Sequence, residues 1–110
     1  MRNLPRQGLV IAFVVLSFLQ PNSLSAEALD GEALYKKHRC TICHGVDGRS
    51  PTREGYPAVA GQNRLYLVNQ ILDIRDGIRT NGRSNLMRPL IKTLRREEIQ
   101  AIAEFLSSRK

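Results

Sequence analysis

The chain has 110 residues, enough for one small domain and too few for a large multidomain enzyme. It carries 17 Lys and Arg against 10 Asp and Glu, a formal net charge of +7, and its hydrophobic fraction of 42% argues against wholesale disorder. With two Cys and no Trp, so small a core needs support from a disulfide, a metal or another bound group.

The first quarter of the chain has the layout of a secretory signal peptide. Arg2 and Arg6 give it a positive start, residues 8–19 form a short apolar run, and Ala26-Glu27-Ala28 has the small-residue pattern of a cleavage site. A membrane-spanning helix needs roughly 20 apolar residues, more than this run contains. We therefore expect cleavage rather than an uncleaved membrane anchor.

This pattern predicts a cleaved segment over residues 1–28 and a mature domain over residues 29–110, with cleavage after residue 25 as an alternative. The mature protein would be exported to the periplasm and would have no stable insertion in the membrane. An exported domain is not expected to meet nucleic acid. Its basic charge therefore indicates either a solvated surface or an acidic protein partner.

The first predicted helix runs from Gly31 to about Arg39, with Asp30 as its N-cap, and leads into Cys40-Thr41-Ile42-Cys43-His44. This C-x-x-C-H string is the attachment signature of c-type haem. Two thiols three positions apart on a helical turn can reach the two haem vinyl groups, and the following imidazole then lies under the iron. The string predicts one covalent haem c, with Cys40 and Cys43 as thioethers and His44 as an axial iron ligand.

Three other roles are open to these side chains. A Cys40–Cys43 disulfide would close a very short loop and stabilise the fold little. A thioredoxin-like redox pair normally accompanies a βαβ pattern, and the sequence indicates no strands. A zinc site could recruit His38 as well, but structural zinc sites usually take ligand pairs from two separated segments.

The rest of the chain is predicted to be helices and loops, so the fold class is all-α. Residues 44–61 are rich in Gly, Pro, Asp and Ser and form a long loop, whose length suits a functional role. A second helix begins near Asn63 and ends by Gly77. Its broad apolar face at helical spacing consists of Leu65, Tyr66, Leu67, Val68, Ile71, Leu72 and Ile78. The last helix runs from about Arg95 to Ser107; Arg95 stands at its start and cannot accept the backbone N–H groups as a Ser or Asp cap would.

Met87 is the single methionine of the predicted mature domain. A Gly-Arg-Ser-Asn loop precedes it, and Pro89, which follows closely, should stop a helix from continuing through the site. Met87 lies far enough beyond His44 in the chain to return over the opposite haem face. A thioether there would complete the iron coordination and raise the reduction potential. The alternative is a methionine that only fills the core.

Taken together, these strings make the chain resemble a class I c-type cytochrome. It is similar to small periplasmic monohaem cytochromes of the c-553 type and to single domains of the related dihaem carriers. The resemblance rests on residues 31–35 (GEALY), 40–45 (CTICHG), 56–62 (YPAVAGQ), 66–67 (YL) and 87–89 (MRP).

The resemblance implies three to five short helices wrapped around one haem. It implies that the Pro57 carbonyl accepts a hydrogen bond from His44, and that Gln62 and Tyr66 approach the haem edge. It also implies that Gly31 and Tyr35 lie where the first helix crosses the last, near Phe105.

The function that follows is a periplasmic one-electron carrier with a six-coordinate His/Met haem, and not an enzyme. Its partner would be an oxidase, a dehydrogenase or another cytochrome with an acidic docking face. The alternative is an electron-transfer subunit of a periplasmic dehydrogenase complex, for example a flavoprotein. A haem enzyme or gas sensor would require that Met87 leave the iron open.

Overall fold

The computed structural model describes residues 28–110, together with Asn3 and Gly8. The predicted signal segment and its cleavage site therefore lie outside the described residues, apart from Ala28. Every regular element from residue 28 onward is a helix, which confirms the all-α prediction, and none of these helices has the length and apolarity to cross a membrane. The helices are α1 (Gly31–Lys37), α2 (Cys40–His44), α3 (Arg64–Arg75), α4 (Ser84–Ile91) and α5 (Arg96–Ser107).

The first and last helices cross at Gly31. This residue is buried, and a Cβ atom built on it would overlap the carbonyl oxygen of Ala101 on α5. One turn later, the rings of Tyr35 and Phe105 lie 5.6 Å apart between centroids, a common edge-to-face distance. The crossing expected from the resemblance is therefore present, and it brings α2 close to the core.

The core is built almost entirely from Leu, Ile and Val side chains of α3 and α5, with Tyr35 and Leu34 from α1. On α3 the buried positions are Leu67, Val68, Ile71, Leu72 and Ile74. Two apolar residues that the helical pattern had placed on this face, Leu65 and Ile78, are instead 62% and 73% exposed. The buried face is therefore narrower than the sequence pattern indicated.

The helix that was expected to run into the C-x-x-C-H string is interrupted before it. Asp30 caps α1 as predicted, its carboxylate accepting the Ala33 N–H at 3.1 Å. The helix then ends at Lys37, and Arg39 adopts a left-handed conformation with φ of 62°. A non-glycine residue in this region reverses the chain locally, so α2 begins as a separate helix at Cys40.

The expectation that Pro89 stops a helix from continuing through the site is wrong, because Met87 and Pro89 both lie in α4, which continues to Ile91. Two residues of the expected preceding loop, Ser84 and Asn85, also belong to this helix. Pro89 removes one backbone hydrogen bond, the one to the carbonyl of Asn85, and Asn85 is exposed so that water can satisfy this group. The helix is held by its inner side, where Ser84 and Ile91 are buried and Met87 packs against the core. Tertiary packing therefore outweighs the proline.

Candidate functional site

A cavity of about 250 Å³ lies between α2, α3, α4 and the loop of residues 45–63. Its walls are mostly apolar. All seven residues that the sequence predicted for the site line it: Cys40, Cys43, His44, Pro57, Gln62, Tyr66 and Met87. The fold thus brings the C-x-x-C-H string of α2 together with a methionine of α4.

The two cysteines lie on α2, and both thiols are free and half-buried. Burial raises the pKa of Cys40 to about 11, so this side chain stays a neutral thiol at ordinary pH. Within residues 28–110 no group of three or more His, Cys, Asp or Glu is arranged to hold a metal ion.

His44 is buried, with 8% of its surface exposed, and its ring orientation is set by one hydrogen bond. Nδ1 lies 2.8 Å from the carbonyl oxygen of Pro57. A carbonyl oxygen can only accept, so Nδ1 carries the proton and Nε2 keeps its lone pair. This is the tautomer that an imidazole needs to bind a metal through Nε2, and the hydrogen bond fixes the orientation of the ring.

The loop beside His44 is fastened at both ends. The hydroxyl of Tyr35 donates to the carbonyl oxygen of Gly45 at 2.6 Å in the protein interior, and burial raises the pKa of Tyr35. Further along, the side-chain amide of Gln62 donates to the carbonyl oxygen of Ala58 at 2.6 Å. These bonds fix the segment that carries the Pro57 carbonyl.

The sequence analysis assigned to the site none of the polar residues that α3, α4 and the loop after α3 contribute beyond Tyr66: Gln70, Arg79, Asn81, Arg83 and Ser84. Gln70 follows Tyr66 by one helical turn on α3, so its position could have been inferred from the i, i+4 spacing. Arg79 lies in the loop after α3, where the sequence has no periodicity that would place it. Its side chain donates to Gln70 Oε1 at 2.8 Å and to Asn81 Oδ1 at 3.1 Å.

The chemistry of these side chains fits a covalently attached haem. Two free thiols lie on one helical turn, as thioether formation with two vinyl groups requires. The next residue offers a metal-binding imidazole nitrogen, and Met87 offers a thioether sulfur to the same cavity. The apolar wall suits the porphyrin faces.

Comparison with known proteins agrees with this geometry. The family model described as Cytochrome c matches residues 28–110. Cytochrome c4 of Azotobacter vinelandii is 34% identical over 84 residues, which cover 69% of this chain and 40% of that protein. Cytochrome c-553 of Nitratidesulfovibrio vulgaris is 35% identical over 83 residues, covering 76% of this chain and 79% of that protein.

A third relative is named as the thiosulfate dehydrogenase electron acceptor of Stutzerimonas stutzeri. It is 32% identical over 93 residues, which cover 78% of this chain and 42% of that protein. The matched region thus spans about two fifths of the length of the Stutzerimonas stutzeri relative and of the cytochrome c4. It spans most of the length of the cytochrome c-553.

Proposed function

Because the chain belongs to the cytochrome c family, whose members bind covalently attached haem c, we propose that it is a one-electron carrier. The observation that carries the proposal is the convergence of Cys40, Cys43, His44 and Met87 on one apolar cavity. In this proposal the two cysteines form the thioethers, and His44 Nε2 and the Met87 sulfur are the axial iron ligands.

Each surrounding residue has a task that follows from its contacts. The carbonyl oxygen of Pro57 accepts a hydrogen bond from Nδ1 of His44. This bond holds the ring in one orientation and one tautomer. The buried apolar residues of α3 and α5 exclude water from one side of the cavity. Gln62 and Tyr66 stand at its margin, where Tyr66 is 52% exposed.

The bound haem supplies a one-electron couple between ferrous and ferric iron. His44 and Met87 would together hold the iron and leave no coordination position for a substrate. The same two residues would serve as ligands in both oxidation states, so little structural rearrangement would accompany electron transfer. The cavity margin at the exposed Tyr66 would be the side from which a partner approaches.

The location and the partner class are part of the proposal. Residues 1–28 would direct export and be removed, with cleavage after residue 25 as the alternative, leaving residues 29–110 in the periplasm. The partner would be an oxidase, a dehydrogenase or another cytochrome with an acidic docking face, since basic side chains outnumber acidic ones in residues 29–110.

The test is the visible spectrum of the protein produced with a haem-attachment system. Covalent haem with a sharp reduced α-band and the weak far-red band of oxidised iron–sulfur ligation is the expected result. Met87→Ala should abolish the far-red band and keep the covalent haem, whereas the neighbouring Leu86→Ala should keep both. Failure to attach haem would reject the proposal. A far-red band that persists in Met87→Ala would reject Met87 as an iron ligand.

A second candidate function is that of a fixed electron-transfer subunit of a periplasmic dehydrogenase complex, for example a flavoprotein. Two observations favour it: the name of the Stutzerimonas stutzeri relative, and the exposure of the apolar side chains Tyr66 and Leu86 at the cavity. Apolar residues at a surface are suited to lasting contact with another protein.

Purification from the native membrane-free extract at low and at high salt separates the two functions. A free carrier leaves any partner as salt rises, because exposed charges are screened. A subunit held by apolar contact stays assembled with a dehydrogenase through the same series. If the protein migrates at the size of one small domain at both low and high salt, it is not a fixed subunit of a complex.

A further inference from the structure

Two walls of the cavity hold the proposed iron ligands. One is the loop of residues 45–63, whose Pro57 carbonyl oxygen orients His44. The other runs from residue 79 through α4 and includes Met87. Among the residues that the structure describes, no hydrogen bond or ion pair joins the loop of residues 45–63 to residues 79–91. What keeps these two walls together is therefore a question of weaker contacts.

One such contact joins the walls, between the ring of Tyr56 and the guanidinium of Arg83. The guanidinium carbon lies 5.2 Å from the centre of the ring, within the range of a cation–π interaction. Both residues line the cavity, and Tyr56 is half-buried whereas Arg83 is exposed. The pair therefore lies at the margin of the cavity, where it meets solvent.

The positions of the two residues in the chain connect the pair to both ligands. Tyr56 directly precedes Pro57, whose carbonyl oxygen lies 2.8 Å from His44 Nδ1. Arg83 stands one helical turn before Met87, and its carbonyl oxygen accepts the Leu86 N–H at 3.0 Å in the first turn of α4. A movement of α4 away from the loop would thus carry Met87 away and would also separate the pair.

We propose that Tyr56 and Arg83 are positioning residues, which hold α4 against the loop of residues 45–63 and so resist the departure of Met87 from the iron. The proposal rests on the proposed function, because it assumes that His44 and Met87 bind one iron from opposite sides. Its consequence is selectivity. A site that opens rarely admits few small ligands to the metal, so the Tyr56–Arg83 pair favours electron transfer over ligand binding.

Binding of imidazole to the oxidised haem protein measures this restraint. Imidazole must displace the Met87 sulfur, so the far-red band disappears as it binds. Arg83→Gln removes the cation and Tyr56→Leu removes the ring. Each variant should lower the imidazole concentration at half-conversion about two- to fivefold, the range that loss of one exposed cation–π contact allows. Mildly alkaline buffer keeps most of the imidazole uncharged, so the lost charge does not itself change the attraction between imidazole and protein.

Further variants separate the pair from a general effect of charge or packing. Arg53→Gln is the matched control, because it removes the same charge from an exposed position of the same loop outside the cavity wall, and it should bind imidazole as wild type does. Tyr56→Phe keeps the ring and should also stay near wild type, and Arg83→Lys, which keeps a cation, should change binding less than Arg83→Gln. In the double variant of Arg83→Gln and Tyr56→Leu, the effect should equal that of one single variant, since one contact can be lost only once.

Fully additive effects in the double variant, or wild-type imidazole binding by Arg83→Gln, would overturn the proposal. An equal change in Arg53→Gln would assign the effect to charge and would overturn it as well. Should Tyr56→Leu fail to accumulate, Arg83→Gln and Arg83→Lys decide alone, because equal binding by these two variants contradicts a cation–π contact. A wild type without covalent haem or without the far-red band would instead reject the proposed function, which keeps the two failures distinct.

Discussion

At residue 31 the crossing of two helices leaves room only for a hydrogen atom as side chain. Replacing Gly31 by Ala would improve helix propensity by about 1 kcal/mol, but the methyl group would overlap the Ala101 carbonyl oxygen, which is backbone and cannot rotate away. We expect Gly31→Ala to lower the free energy of unfolding by roughly 1–3 kcal/mol.

Thermal unfolding of the haem protein measures this change. Ala33→Ser on the exposed side of the same helix is the control and should shift the melting temperature little. A Gly31→Ala protein as stable as wild type would mean that α1 and α5 can move apart at no cost.

Tyr35 also stabilises the fold through a single contact, the hydrogen bond that its hydroxyl donates. In Tyr35→Phe the Gly45 carbonyl loses a buried donor 2.6 Å away, and an unsatisfied buried acceptor costs roughly 1–3 kcal/mol. We expect a lower melting temperature in this variant. Tyr66→Phe removes the same atom from a half-exposed ring and should be close to neutral, so equal effects in the two variants would contradict the explanation.

Much of the site could be predicted at this scale, and the reason is local spacing. Cys40, Cys43 and His44 lie within five consecutive residues, so their role in haem attachment can be predicted without knowledge of the fold. Arg79 could not be found in this way. It reaches the cavity through a loop whose position depends on how α3 ends, and its partners Gln70 and Asn81 have no distinctive pattern.

Among the helices, α5 begins with an incomplete cap. Glu98 accepts the backbone N–H of Arg95 at 3.1 Å, a contact that lowers the pKa of Glu98, but the arginine side chain has no acceptor to offer the first turn in return. Arg95→Ser would supply that acceptor. We expect it to raise the free energy of unfolding by about 1 kcal/mol, even though an exposed ion pair with Glu98 is lost.

Denaturant unfolding of Arg95→Ser and of Arg96→Ser, the next residue along, checks this expectation. The second variant removes the same charge at a position that cannot act as cap, so it should give no comparable gain. An unchanged or lower stability of Arg95→Ser would show that Glu98 alone suffices.

Helix α4 is joined to the end of α3 by Arg88, the neighbour of Met87. Its Nε donates to the Arg75 carbonyl oxygen at 3.3 Å, and its guanidinium lies against Gly77, whose φ of 74° turns the chain at that point. We expect Arg88→Gln to destabilise the fold by about 1 kcal/mol. It should also make the far-red iron–sulfur band disappear at a lower temperature than in wild type.

Arg96→Gln serves as the charge-matched comparison, measured by the same band on slow heating. If the band of Arg88→Gln persists to the wild-type temperature, the tie between α3 and α4 does not hold Met87 in place.

Helix α4 also shows why part of the fold escaped the sequence analysis. Pro89 and the preceding Gly82 are strong local signals for a loop. The competing signal was the i, i+3, i+7 spacing of Ser84, Met87 and Ile91, the inner side of the helix. Three residues make a weak pattern in the sequence. The helix forms because these residues pack against the core.

For the molecule as a whole, the excess of basic side chains has a kinetic consequence. The excess of basic over acidic side chains in residues 29–110 attracts an acidic partner over a distance of about one Debye length, roughly 10 Å at 0.1 M salt. We expect the bimolecular rate of electron transfer to an acidic partner to fall steeply as salt rises, measured by stopped-flow absorbance. A small neutral reductant provides the control and should show little salt dependence; a flat profile with both would contradict charge steering.

The overall architecture was predictable because its strongest signals are long helices with periodic apolar faces, α3 and α5. Their boundaries agree with the predicted ones to within about two residues. The break between α1 and α2 was not predictable, since it depends on Arg39 taking a left-handed conformation that no residue type announces.

The meeting of α1 and α5 also bears on the connectivity of the chain. The side chains of Arg109 and Glu32 approach to 3.5 Å, and Leu29 and Ser108 share one shallow surface depression, so the two ends of the domain are neighbours in space. A short flexible linker could therefore join residue 110 to residue 29, and new termini could be opened at the exposed Gly55, with every helix still in place. The order in which the helices follow one another is thus separable from the arrangement that surrounds the cavity, and a circular permutant should keep that arrangement.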